Sequence, residues 1–424
     1  MFNIIIDFIS VPAFLISMVA MLGLILQKKA FTEVVSGTIK TAMGFIILGG
    51  GATLLINSLT PLGTILESGL NIKGIVPNNE AIVSLAIKDY GVVTSLIMVF
   101  AMCFNIIIAR FSPLKYIFLT GHHIFYMASM IGVILMVKNF SLVASVLIGS
   151  IILGGVMTIL PALAQPFMVK ITGNNNIALG HFNTFGYVIS GFVGKLFKSK
   201  STEELSLPKN LTFLKDSTIS ISITMSIIYV VISLMVGKEF VETNLSHGQN
   251  FIIYSILQGL LFSASVYIIM QGVRLLLAEI TQSFIGISKK LVPNAIPALD
   301  CPIVFPYAPN ATLVGFIFST LGGLVGLYLL TTLSVIYGEL AIVLVLPSVI
   351  AHYFTGATAG VFGNSSGGRL GAIVGAFSNG FIITFLPLFL LSALGSLGFE
   401  STTYSDSDFA VIGIILSNIL SLFN

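Results

Sequence analysis

Apolar residues fill this chain in near-continuous stretches of about 20 positions, the length that carries a helix across a bilayer. Windows of that length place spans near 4–26, 34–57, 84–109, 116–137, 139–163, 216–236, 249–271, 311–333, 338–353, 370–396 and 407–423. A membrane barrel would instead show alternating segments of ~10 residues. The expected fold is therefore an all-α membrane protein with about eleven transmembrane helices. Met1–Phe8 has no basic stretch before its apolar run, so the first segment is expected to stay as a span rather than act as a cleaved signal.

Four stretches break the pattern. Residues 58–83, 164–195, 272–310 and 354–369 are rich in Gly, Pro and Asn yet still fairly apolar. Irregular backbone at membrane depth is tolerated only under cover of protein or around a water-filled cavity. These stretches are candidate re-entrant hairpins lining a substrate path. Residues 196–215 read differently, as a cytoplasmic linker between a first membrane repeat, 1–195, and a second, 216–424, that ends in an extra C-terminal helix. A shift of 221 residues pairs Asn79 with Asp300 and Ile82-Val83 with Ile303-Val304, and a shift of 229 pairs His123 with His352. Five spans separate the copies, and an odd number turns the second upside down. The expectation is two inverted five-helix repeats with substrate held between them.

Lysine and arginine orient the chain. With the N-terminus outside, fourteen of them fall in cytoplasmic segments and three, Lys73, Lys138 and Lys238, outside. The N-terminus is then external and the C-terminus cytoplasmic, and Glu400 and Asp406 belong to an external segment. Only 8% of residues are charged against 56% hydrophobic, and the net charge of +3 offers no basic face for nucleic acid. Two distant cysteines, Cys103 and Cys301, support neither a disulfide framework nor a metal site. No phosphate loop or cofactor motif occurs, which excludes an ATP-driven pump and leaves a secondary transporter, a channel or a permease driven by partner proteins.

Within so apolar a frame, polar side chains mark function. Glu80, Asp300, His122, His123 and His181 stand out, while Asp89 beside Lys88 reads as interfacial, and Arg274 with Glu279 as a structural pair. His122 and Tyr126, four residues apart, share one helix face, and both can donate or accept hydrogen bonds to hydroxyls. His181 follows the Gly- and Asn-rich run 173–180. Asp300 sits in Pro297-Ala-Leu-Asp-Cys-Pro302, where prolines free backbone carbonyls beside a carboxylate, and its repeat mate is Pro77-Asn-Asn-Glu80. Cys301 has no cation nearby to activate it and reads as packing.

These motifs, taken together with Gly37-Thr-Ile-Lys-Thr-Ala-Met-Gly-Phe45, Thr120-Gly-His122, Gly180-His181, Gln271-Gly-Val-Arg274 with Ala278-Glu279, and Asp300-Cys301 through Ala308-Pro-Asn-Ala311, resemble the ascorbate-type IIC permease of the phosphoenolpyruvate-dependent sugar phosphotransferase system, a relative of the galactitol type. The resemblance runs in order through nearly the whole chain. It implies a multi-pass homodimer of the bacterial inner membrane, a transporter subunit rather than an enzyme, without cofactor, metal or catalytic residue of its own. It implies L-ascorbate or a related sugar as substrate, and separate IIB and IIA partners, the former carrying the phosphocysteine. It also implies sugar contacts at Asn79, Glu80, His122, Tyr126, His181, Phe182 and Asp300. His122, His181 and Asp300 match the ascorbate pattern. Asn79, Glu80, Tyr126 and Phe182 depart from the Thr-Tyr, Gln and Gln expected there. Ascorbate is an anion, and an ionised Glu80 beside Asp300 would repel it by up to about 4 kcal/mol at ~4 Å and an effective dielectric of ~20. The alternatives are therefore a IIC for a neutral sugar or polyol such as galactitol, or an ion-coupled sugar transporter using Asp300 and Glu80.

Overall fold

The structure, a computed structural model, describes residues 12–65, 74–204, 213–214, 216–336, 343–399 and 402–422. It is helical almost throughout. In chain order come α1 (Pro12–Leu26), α2 (Phe31–Thr64), β1 (Gly74–Ile75), α3 (Asn79–Phe111), β2 (Tyr116–Phe118), α4 (Gly121–Val137), α5 (Leu142–Thr172), β3 (Ala178–Leu179) and α6 (Thr184–Gly194). Then follow α7 (Ser217–Val236), α8 (Lys238–Asn244), α9 (Phe251–Leu291), β4 (Ile296–Leu299), a 3-10 helix (Cys301–Tyr307), α10 (Pro309–Ile336), β5 (Leu344–Val345), α11 (Val349–Phe385), α12 (Pro387–Leu390), a second 3-10 stretch (Leu391–Phe399) and α13 (Ser407–Ser421). Among the described residues six helices are long and apolar enough to cross a membrane, on α3, α5, α7, α9, α10 and α11, and α4, α6 and α13 are shorter apolar helices. Apolar side chains such as Leu147, Ile151 and Leu163 on α5 and Ile227 and Leu234 on α7 face outward, as a lipid solvent permits.

Local chemistry sets the ends. Asn78 opens α3 by accepting a hydrogen bond from Ala81 N at 2.7 Å, and Ser141 and Asp216 cap α5 and α7 in the same way. Gly173, at φ 74°, closes α5 in the left-handed conformation that glycine adopts without strain. α4 is buried along most of its length and forms the centre of the main apolar core, with Phe125, Ile131 and Leu135 inside it.

Several sequence expectations are corrected. Of the span expected at 338–353 only the end, from Val349, is helix: β5 occupies 344–345, and 337–342 lie outside the described residues. The supposed irregular stretch 354–369 is helix, the first half of the 37-residue α11, broken at Gly368 alone, φ 66° and ψ −146°. Its glycines were misleading because they serve close packing. A Cβ on Gly360 would lie 2.5 Å from Ala311 O and 2.6 Å from Gly315 Cα, so small residues let α10 and α11 meet backbone to backbone. The breaks at 164–195 and 272–310 are narrower than expected, since α5 runs on to Thr172 and α9 to Leu291. Residues 116–120 are strand and turn rather than the start of a span. The described part of the expected linker is tied to the helices beside it. Lys200 O accepts from Arg369 N, Asn364 Oδ1 accepts from Thr202 N, and Glu203 accepts from Asn310 N and Ala311 N, tying residues 199–204 to the break in α11 and the start of α10.

The short strands join the two halves. β1 pairs in parallel with β5, and β4 lies between β2 and β3, also in parallel. The shift of 221 carries Ile75 onto Ile296 of β4, and the shift of 229 carries Tyr116 onto Val345 of β5. Each pairing is thus made by one half of the chain with the other. The crossings that result place several helix starts around one central cavity.

Candidate functional site

Pro297 and Pro302 flank the point where β4 becomes a 3-10 helix, and Asp300 stands at that junction, its Oδ1 accepting from Cys301 N at 2.7 Å. The carboxylate remains partly open, with 34% of its side chain exposed, and looks toward the first turn of α4. There His122 Nε2 lies 3.3 Å from Asp300 Oδ2. His181, from the turn between β3 and α6, brings its Nε2 to 3.9 Å from Asp300 Oδ1 and 3.9 Å from Asp406 Oδ2. Its other ring nitrogen, Nδ1, is held by the Tyr187 hydroxyl at 2.9 Å. The three residues that the sequence singled out from distant segments therefore share one site.

These groups line one small cavity. Asn79, Glu80 and Tyr126 line it as well. Asn79 Oδ1 accepts from Ser405 N at 2.9 Å, and Glu80 is buried in the first turn of α3. Tyr126 is buried with its hydroxyl unpartnered, so it has a free donor and acceptor directed at the site. Phe182 is placed differently from the other candidates: it is not among the lining residues. Its ring is fully buried, stacked on Phe118 at 4.7 Å and edge-on to His123, so it backs the site rather than facing it.

Sequence reasoning missed Asp406 and did not place His123 in the site. Asp406, expected in an external segment, is buried, lines the cavity and accepts from Ser405 Oγ at 2.7 Å. The signal was present: Ser405-Asp-Ser-Asp408 immediately precedes an apolar run, the pattern of a helix start. His123 packs against His181 with ring centroids 3.8 Å apart. Its Nδ1 accepts from Phe182 N at 3.4 Å, so a neutral His123 carries its proton on Nε2. The histidine, acid and cysteine donors come within 4.8 Å of one another in three overlapping triads. With Nε2 protonated, His123 offers a hydrogen-bond donor. Cys301, expected to be packing, is buried and also lines the cavity, and Asp89 is exposed and not among the lining residues. Arg274 is exposed, and the Glu279 side chain lies outside the described residues.

The cavity lies among helix starts. α3, α4, α6, α11, α13 and the 3-10 helix at Cys301 all begin at it or one turn from it. Helix N-termini carry partial positive charge and unbonded amides, which favour oxygen-rich or anionic ligands. No lysine or arginine lines the cavity among the described residues. Behind it, α6 and α13 cap each other: Thr184 N and Phe185 N donate to Asp408 Oδ2 and Oδ1 at 2.7 and 2.8 Å, Gly186 N donates to Ser407 Oγ, and Ser407 N donates to Asn183 Oδ1. This buried clasp holds the two turns that carry His181 and Asp406.

Residues 7–408 match the family EIIC-GAT, described as the PTS system sugar-specific permease component. The chain is also similar to the ascorbate-specific PTS system EIIC component of Mycoplasma pneumoniae (strain ATCC 29342 / M129 / Subtype 1), 25% identical over 417 residues. That match covers 87% of this chain and 63% of the relative, so the chain spans somewhat under two thirds of the relative's length.

Proposed function

The chain belongs to the family of sugar-specific permease components of the phosphotransferase system, and from that premise we propose that it binds L-ascorbate and moves it across the bacterial cell membrane, coupled to phosphorylation by a separate IIB protein. The observation that carries the reading is the convergence of His122, His181 and Asp300, the three positions that match the ascorbate pattern, on one cavity. Asp300 accepts hydrogen bonds from sugar hydroxyls. His122 and His181 orient the ring, Asn79, Glu80 and Tyr126 complete the polar lining, and Phe182 steadies His123 from behind.

In this mechanism the permease binds the sugar from outside, a core domain moves against a dimer-forming scaffold to carry it inward, and a cytosolic IIB phosphocysteine transfers its phosphoryl group to the sugar. The phosphorylated product is released inside, and a IIA protein recharges IIB. The protein works as a homodimer with its N-terminus outside and C-terminus in the cytoplasm. A titration of purified protein with ascorbate and galactitol tests the substrate: ascorbate binding is expected, with galactitol much weaker. Uptake into membrane vesicles tests the coupling. Ascorbate should enter only when phosphorylated IIB is supplied, and accumulation on an ion gradient alone would establish the ion-coupled alternative.

One observation favours a second reading. Glu80, Asp300 and Asp406 bring three carboxyl groups to a cavity without a lysine or arginine among its described lining residues. Ionised carboxylates are strong acceptors for hydroxyls and repel an anion, which is the signature of a neutral polyol site.

A further inference from the structure

The helix starts around the cavity differ in one respect. Asn78 caps α3, Asp300 caps the 3-10 helix that it opens, and Asp408 with Ser407 answers the first amides of α6. α11 is not answered. Its N-cap, Ser348, has the extended backbone of a capping residue, φ −76° and ψ 116°, yet its side chain makes no capping bond. Serine at this position ordinarily accepts from the amide two or three residues on. The Ser348 hydroxyl is instead buried without a partner, the residue 4% exposed, and it lines the cavity beside Ile350 and Ala351 of the same first turn. The start of a 37-residue helix is thus left uncapped by a buried, unpartnered hydroxyl that is part of the cavity lining. Thr120 at the start of α4 is likewise uncapped and orphaned, but it does not line the cavity.

Other residues of the lining supply the complementary chemistry. Asp300 and Asp406 offer acceptors for hydroxyl groups. The start of α11 offers hydroxyl and amide donors under a positive helix end, which favours a negatively charged oxygen. We propose that Ser348 and the first-turn amides of α11 form the subsite for the anionic oxygen of the substrate, the enolate oxygen when the substrate is ascorbate. The assignment rests on the ascorbate reading and extends it. It resolves the conflict between an anionic ligand and three carboxyl groups: the charge lies at the helix end, and the acids face the neutral hydroxyls.

The test uses the purified full-length protein and calorimetric titration with sodium ascorbate and with galactitol. Ser348→Ala is expected to raise the ascorbate Kd about ten-fold, the loss of one hydrogen bond to a charged group, and Ser348→Thr to restore it to within about three-fold of wild type. Ser348→Asp places a carboxylate on the helix start and is expected to abolish ascorbate binding. Circular dichroism melting identifies any variant that fails to fold, and the alanine and threonine variants decide the matter if the aspartate variant does. Wild-type ascorbate binding that persists unchanged in Ser348→Ala and Ser348→Asp overturns the subsite and leaves the ascorbate reading standing. A wild-type protein that binds galactitol and not ascorbate overturns both.

Discussion

The start of α11 stands at the cavity and that of α6 just behind it, yet they are finished in opposite ways. At α6 each of the first three amides has a partner from the far end of the chain, Asp408 or Ser407. At α11 the residue best suited to cap the helix leaves it open. A helix end buried without partners is unfavourable unless something else supplies them. The contrast separates two uses of one local structure, since the closed end holds the architecture and the open end is available to a ligand. Capping groups at the first should therefore govern stability, and those at the second should govern binding.

The largest expected effect is at the closed end. Asp408→Ala removes the acceptor for two buried amides, and unfolding in detergent should show a loss of about 3 kcal/mol. Hydrogen exchange should quicken at residues 184–186 in particular. A neutral result would erase the distinction between the two ends. Next comes Asp300→Asn, which keeps shape and removes charge: ascorbate binding should weaken by about 2 kcal/mol in a titration, with thermal stability nearly unchanged. Third is a matched pair of caps. Asn78→Ala should cost about 1 kcal/mol of stability and Ser348→Ala less than about 0.5, because only the first loses a capping bond. Equal losses would show that Ser348 stabilises α11 as an ordinary cap. The smallest effect concerns Glu80, whose ionisation adds negative charge to the cavity as pH rises. Under the ascorbate reading, wild-type binding should therefore decline toward high pH, and Glu80→Gln should flatten that decline. Under the polyol reading, the same change should weaken the neutral ligand at every pH.

The membrane-spanning character of the chain was legible in the run lengths alone, because a lipid solvent imposes its thickness on the sequence. Asp300 was legible for a different reason: prolines on both sides stop regular structure where a charge is present. Two kinds of feature were hidden. The glycines at 356, 360 and 363 read as a break because composition does not distinguish a glycine that bends a chain from one that admits a neighbouring helix. Asp406 was placed only by segment, because a count of lysines and arginines orients whole loops and says nothing of whether one acid is buried. It sits against His181 and the start of α3, and neither is near it in sequence. His123 fell between the two kinds, visible as a neighbour of His122 but given its orientation by the backbone of Phe182.

The reciprocal strand pairing has a consequence for synthesis. β1 has no partner until residues 344–345 exist, β2 waits for 296–298, and the amides at the start of α6 wait for residue 408. At the usual ~5–20 residues per second, the first half stays in the membrane for many seconds with these groups unmatched. Its helices can insert one by one, but the cavity cannot exist in any nascent chain shorter than nearly full length. A ribosome that stalls midway therefore leaves inserted helices without a substrate site, and truncations from the C-terminal end should fail together rather than by degrees.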